Sequence, residues 1–550
     1  MTHSRGVVAA CALAAALQAC GGSDSPAGTQ VTTPAQGQLM QSPPPRVLSL
    51  SATDFTGLLQ AGGATGQALL QLSTAGTGST SLPCGIDVYY YKYGTIDGQG
   101  KPANASGALM VPTGPAGPCS GARPIVEYTH GTAFSRSYNL ANIADSTNPA
   151  YLEGIVQAAM YAAQGYIVVA PNYVGFDSST TNYHPYLVAA QESSDSIDAL
   201  TAARAALPLA LSAISDNGKF FLTGYSQGGY VAMATQRAME AKGMTVTAAS
   251  PQSGPYALNA LVDDNFTGHP SLSGALLVTL LAESYQNSYG NIYSSPTDIF
   301  ANNLATQLPY ASAAAAASSP IGMTTPLFSA VAPQPPASAN ALAADFATTV
   351  PSGYSASDLA NPIAPMWAAS FDTSGSQFVV TQSFRAGYLA DAFTTADPVL
   401  AGNAAALPPA AASAASPLRQ DAIRNDLRGY VPKSPTMLCG GHNDAVVYFA
   451  IDSGAMQAEW GAPTPTRFTL DIASDAASSA SDPTSAFNPV RLVYQQAMTP
   501  YRTAAYDAAI SAGQTTDQAT QAAAIAEAEN AHFVELLPCA LAARAYFANF

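Results

Sequence analysis

Two rhythms of apolar and polar positions divide the chain. Cys84–Val111 alternates and is rich in tyrosine (Tyr89, Tyr90, Tyr91, Tyr93). It breaks at Asp97-Gly98 and resumes at Gly107–Val111, which predicts an antiparallel pair joined by a turn. From Arg123 the period changes. Pro124–Tyr128 is a short apolar run, and Pro149–Ala163 is helical, with Ile155, Ala159 and Ala163 at four-residue spacing and Gly165 beyond its end. Tyr166–Ala170 is a second buried strand, Ser193–Leu207 a helix, and Lys219–Thr223 a third strand. A helix from Gln227 to about Ala241 and a strand at Thr245–Ser250 follow. Strand and helix in this alternation predict βαβ units and a mostly parallel central sheet with helices on both faces.

From Pro255 to about Gly429 that rhythm stops. The segment is rich in Ala, Ser and Pro, with a mostly Ala stretch at Ala311–Ala317, and offers a buried strand only at Gln377–Thr381. Residues 255–429 therefore read as an inserted, mainly helical cap, and residues 48–254 and 430–550 as the α/β core. The strand pattern returns at Thr436–Cys439 and Phe468–Ile472, with a helix expected over Val446–Trp460. The tail after Arg491 is helical.

Charge narrows the functional classes. Nineteen basic against 35 acidic side chains give −16, with no Lys/Arg cluster, which excludes nucleic acid as a partner. Hydrophobic residues reach 48% and mean hydropathy is +0.11, so the acidity is not that of a disordered tail. At the N-terminus, Gly6–Leu17 is apolar but shorter than the roughly 20 residues that span a bilayer. Leu17-Gln18-Ala19-Cys20 resembles a bacterial lipobox, with Gln an atypical second residue. The expectation is a lipoprotein signal peptide at residues 1–19, a lipid anchor on Cys20 and a flexible tether over 20–47. A cleaved signal with a chance Cys is the alternative. Either implies export, to the outer membrane or the medium. In an oxidising compartment Cys84, Cys119, Cys439 and Cys539 are expected to form two disulfides, with three pairings open.

Gly224-Tyr225-Ser226-Gln227-Gly228 fits G-x-S-x-G, with the buried strand Phe220–Thr223 entering it and a helix leaving it. The turn is tight, so small residues are needed two before and two after Ser226. The helix N-terminus behind it favours developing negative charge. A serine needs a base, and in this strand–turn–helix setting the order is Ser, acid, His. Asp444 follows the Thr436–Cys439 strand and its glycine turn, whereas Asp421 and Asp426 precede that strand and Asp452 lies in the next helix. Asp444 is also placed to cap the helix expected at Val446. Among six His, His3 is in the signal, and His130, His184 and His269 precede the acid or lie in the cap. His442 shares the turn of Asp444, which leaves His532 as the base. Oxyanion donors are expected from the N–H of Gln227 and from the His130-Gly131-Thr132 loop, with Gly131 and Thr132 as candidates. Cys439 and Cys539 flank the acid and base loops, so pairing them would staple the two, leaving Cys84 and Cys119 to close the N-terminal strands.

Glu127–Thr132, Ala170–Phe176, His184-Pro185-Tyr186-Leu187 and Gly224–Gly229, in that order, resemble the secretory lipase family. Asn425-Asp426-Leu427 and His532 followed by Pro538-Cys539 fit it too. The resemblance implies an α/β-hydrolase fold with a helical lid inserted after the sixth sheet strand, a Ser226–Asp444–His532 triad, and ester hydrolysis without cofactor or metal. The expected substrate is a small-molecule or lipid ester. A peptidase or amidase with the same triad, and a non-catalytic surface-binding lipoprotein, are the competing readings. Tyr285, Tyr289 and Tyr293 form a helical stripe that either packs the cap or lines an acyl channel. His442-Asn443-Asp444 offers too few ligands for a metal site.

Overall fold

A computed structural model of the chain describes residues 34–550 apart from 77, 116, 211–212, 302–324, 331–363, 375–376, 476–477 and 480. The signal peptide, Cys20, the first half of the tether and the Ala311–Ala317 stretch lie outside the described residues.

The chain opens with strand β1 (Arg46–Leu50) and helices α1 (Ala52–Ala61) and α2 (Gly63–Ser73), then the long hairpin β2 (Gly85–Ile96) and β3 (Pro102–Thr113). Five β/α elements follow: β4 (Gly121–Thr129), α3 (Tyr151–Met160), β5 (Ile167–Pro171), α4 (Ala189–Ala210) and β6 (Ile214–Tyr225). Helix α5 (Gln227–Ala241) and strand β7 (Ala248–Gln252) complete this half. The sheet has nine strands in the order β1-β2-β3-β5-β4-β6-β7-β10-β11, where β10 is Thr436–Gly440 and β11 is Arg467–Asp471. From β5 to β11 every neighbour is parallel, while β1, β2 and β3 run antiparallel.

Alternation along the strands divides the core. Ala108, Met110, Val126, Val168 and Ala170 face a cluster that includes α3, whereas Leu109, Val111, Ile125, Ile167 and Val169 face one built on α4. Successive strand side chains point to opposite faces, so each apolar run is buried on both sides. The two-layer expectation is met.

The segment expected as a cap is helical where it is described: α6 (Leu258–Thr267), α7 (Gly274–Tyr289), α8 (Ala364–Ala369), α9 (Gln382–Thr394) and α10 (Pro417–Arg424). Buried Arg419 holds Asp263 through Nε and Nη2, fastening α10 to α6. The Gln377–Thr381 strand does not form. Val380 makes an isolated bridge to Phe300, with single backbone bonds from Ala301 N–H to Val379 O and from Val380 N–H to Leu327 O; among the described residues the nearest paired strands are the two-residue β8 (Phe328–Ser329) and β9 (Phe371–Asp372).

Two further expectations change. Helix α11 spans Ser453–Trp460 rather than starting at Val446. Asp444 Oδ1 accepts the N–H of Val446 and Val447 at 2.7 and 3.0 Å, bending this stretch into turns, so Asp444 caps a turn and not a helix. The end of the expected tether is paired: Gly37 N–H donates to Gly94 O, and Met40 N–H to Lys92 O. The tail folds as α12 (Asn488–Ser511), α13 (Thr516–Val534) and α14 (Leu536–Phe547).

Candidate active site

Strand β6 ends at Tyr225 and α5 begins at Gln227, so Ser226 is the whole of the turn. Its backbone is at φ 59°, ψ −122°, a region costly for any residue with a Cβ and held here by its surroundings. A Cβ at Gly224 would run into Thr129 Oγ1, and one at Gly228 into the Thr129 carbonyl, which explains the small residues on either side of Ser226. Ser226 N–H donates to Gln252 O at 2.9 Å, tying the turn to the end of β7.

Asp444 and His532 reach Ser226 from distant segments. His532, in the last turn of α13, places Nε2 2.9 Å from Ser226 Oγ and Nδ1 2.7 Å from Asp444 Oδ2. Both His532 and Asp444 are buried. Tyr225 donates its phenol O–H to the main-chain carbonyl of His532. Two disulfides join Cys84 to Cys119 and Cys439 to Cys539. The second links the strand that precedes Asp444 to the helix that follows His532.

The loop after β4 lies beside the nucleophile, with an added Cβ at Gly131 reaching to 3.7 Å from Ser226 Cβ. Gly131 N–H, however, donates to Glu153 Oε1 at 3.0 Å. Of the two loop candidates, Gly131 is therefore already engaged with Glu153, and Thr132 is the other. Glu153 also accepts from Tyr128 and Tyr138, so one carboxylate pins the loop from three sides. His130 is buried, with its ring 4.1 Å from that of Tyr173 and its Nδ1 2.7 Å from Gly131 O. Burial lowers it to about 4, which makes it a neutral scaffold residue.

Residues 151–244, which hold the nucleophile turn, match the model of the family described as Secretory lipase. The esterase LipA of Xanthomonas oryzae, described as rice cell wall degrading, superposes with TM-score 0.54 at 26% identity. The match covers 82% of this chain and 94% of that one. Over residues 151–244 the chain is similar to the secretory lipases. A Legionella pneumophila protein shares the fold at TM-score 0.52 and 19% identity, over 79% of this chain and 91% of that one. Sequence comparison with curated proteins gives no match. The fold is that of an α/β-hydrolase, and the enzyme is a carboxylic ester hydrolase.

In this hydrolase Gln227 has a second attachment that its sequence position does not reveal. Its Nε2 lies 2.6 Å from Glu192 Oε1 and 2.6 Å from His184 Nε2, while His184 Nδ1 faces Val174 O at 2.9 Å. Burial lowers His184 to about 4 and raises Glu192 to about 8, so their 3.5 Å approach joins two neutral groups and is not an ion pair. The network fixes the residue that follows Ser226.

Two hollows meet at Ser226. One, of about 50 Å³, is apolar and runs beneath α6 and α7 among Leu258, Val262, Leu277, Leu281, Val446 and Val447. The other, of about 230 Å³, is more open and lined by Thr132, Phe134, Glu153, His532 and Phe533. Tyr285 is fully buried and Tyr289 accepts from Asn425 Nδ2, so these two pack the cap; α7 ends at Tyr289, which leaves Tyr293 outside the expected helical stripe, and a different face of α7 lines the apolar hollow. His442 pairs with Asp471 near the surface; among the described residues no group of three or more metal-ligating side chains gathers.

Proposed function

We propose that the enzyme cleaves small-molecule or lipid carboxylic esters through an acyl-enzyme on Ser226. The observation that carries this reading is the continuous chain Ser226 Oγ, His532 Nε2, His532 Nδ1, Asp444 Oδ2, with spacings of 2.9 and 2.7 Å. Such spacing suits proton transfer in both directions. Ser226 attacks the ester carbonyl while His532 takes its proton. Asp444 holds the ring in the tautomer with Nδ1–H and stabilises the imidazolium. The N–H groups of Gln227 and Thr132 receive the oxyanion. His532 then gives its proton to the leaving alcohol, and water repeats the sequence to free the acid.

The two hollows divide the substrate. The apolar one takes the acyl chain and, being narrow, favours short to medium chains; the open one takes the alcohol. The cap over residues 255–429 is a lid domain that supplies the acyl side through α6 and α7. The chain is exported, with residues 1–19 as signal peptide and Cys20 as lipid anchor.

A series of p-nitrophenyl esters against the matching p-nitroanilides tests the reading. Turnover is expected on esters of short and medium acyl chains, falling for long ones, with anilides far slower. Anilide hydrolysis equal to or faster than ester hydrolysis would overturn it.

A further inference from the structure

One carboxyl near the reacting groups has no part in the scheme above. Glu535 lies three residues past His532, at the junction of α13 and α14, and is fully buried. Its Oε2 accepts from Ser253 Oγ at 2.6 Å. Its Oε1 reaches the glycine turn before Asp444, where a Cβ on Gly441 would approach to 2.5 Å.

These contacts join the three loops of the site. Ser253 follows Gln252, whose carbonyl holds Ser226 N–H, and Ser253 N–H donates to Cys439 O at 2.8 Å. Gly441 O accepts Asp444 N–H at 3.1 Å, so the turn against Glu535 is the one that aims the acid. Glu535 O in turn accepts the N–H of Cys539 at 2.9 Å, which sets the start of α14 beside the disulfide. The end of β7 that holds the Ser226 turn, the Asp444 turn and the helix end bearing His532 therefore converge on one side chain.

Its charge follows from its surroundings. The groups facing it are Asp444 and Asp471 from the ends of β10 and β11, Tyr225 from β6 and Tyr494 from α12; none is a cation. An ionised carboxylate there would be buried and would repel Asp444, and burial first, then Asp444, pushes Glu535 well above the usual carboxylate range. The site thus holds two buried carboxyls close together, with Glu535 favouring its protonated form.

We propose that Glu535 is a positioning residue for ester hydrolysis, whose carboxyl locks the Asp444 turn against the helix end bearing His532. The proposal rests on the Ser226–His532–Asp444 reading. A displacement of about 1 Å in such a group costs on the order of 10²-fold in rate.

The experiment compares Glu535→Gln, Glu535→Ala and Ser253→Ala on a p-nitrophenyl ester, with rates taken per folded molecule and the wild type first checked for fluorophosphonate labelling at Ser226. Glu535→Gln, neutral and of the same shape, is expected to keep kcat within about threefold and to leave the acid limb of the kcat/KM pH profile in place. Glu535→Ala is expected to lower kcat by about 10² with KM within about twofold, and Ser253→Ala to lower it less, in the same direction. Should Glu535→Ala not fold, Ser253→Ala and Glu535→Gln carry the test. Full activity in Ser253→Ala, or an acid limb in Glu535→Gln moved down by half a unit or more, would overturn the proposal. The second result would mean that Glu535 carries charge beside His532. Absence of label on wild-type Ser226 would instead overturn the triad reading, and with it the positioning role of Glu535.

Discussion

Cys439, in the strand that presents Asp444, is bonded to Cys539, seven residues past His532. The link closes a separation of 100 residues, for which loop entropy gives about 4.7 kcal/mol. Its second effect is local, since it ties β10, which leads to Asp444, to α14, which follows His532. Cys539→Ser is expected to lower kcat by about 10² as well as the melting temperature. Steady-state kinetics well below the variant's melting temperature separates the two effects; wild-type kcat there would show that the bridge serves stability alone.

Asp444 divides its oxygens, Oδ1 to the Val446 and Val447 N–H groups and Oδ2 to His532 Nδ1. In Asp444→Asn the amide can keep the first set only by presenting N–H₂ to the ring, which forces the wrong tautomer. A loss of about 10⁴ in kcat is expected with circular dichroism unchanged. A loss below tenfold would place the acid elsewhere.

Glu192 predicts a pH dependence of stability. Its carboxyl is raised by burial from 4.5 to about 8, so between those values the folded protein holds a proton that the unfolded chain has released. Stability from this group is therefore complete below about 4.5 and is lost as pH rises through about 8. His184 and His130, lowered to about 4, act oppositely: their share is present above 6.5 and is lost as pH falls through 4. Glu192→Gln is expected to flatten the alkaline side of the stability profile and leave the acid side as it was. Urea titrations at several pH values read both sides; an unchanged alkaline slope would remove Glu192 from the account.

The anchor is tested separately. Among the described residues no helix is long and apolar enough to cross a membrane. Cys20→Ser is expected to move the protein from the membrane fraction to the soluble one, because lipidation of Cys20 is the proposed attachment. Sedimentation with membranes after a high-salt wash would contradict the lipobox reading.

The sequence made some of this site legible and hid the rest for physical reasons. Ser226 shows because a strained turn between strand and helix leaves glycines at fixed offsets, and Asp444 because a buried strand runs straight into its turn. His532 is found only by chain order, since nothing in Asn530-Ala531-His532-Phe533 distinguishes it from a surface helix. Glu153, Glu192 and Glu535 escaped notice because a buried, bonded carboxyl looks in sequence like a solvated helix position. The helix expected from Val446 failed because periodicity does not register that Asp444 Oδ1 takes the first N–H groups for a turn. β1, α1 and α2 were not anticipated, as the tether composition of the preceding residues gave no sign that Gln36–Met40 would pair with β2.

The central claim is that Ser226 is the nucleophile activated by His532. Mass mapping after reaction with a fluorophosphonate tests it most directly, comparing wild type, Ser226→Ala and His532→Ala. One adduct on the peptide containing Ser226 is expected in the wild type, none in Ser226→Ala, and far slower labelling in His532→Ala, with ester hydrolysis lost by roughly 10³-fold or more in both variants. An adduct on another residue, or Ser226→Ala protein that is folded and hydrolyses esters at more than about a hundredth of the wild-type rate, would contradict the account.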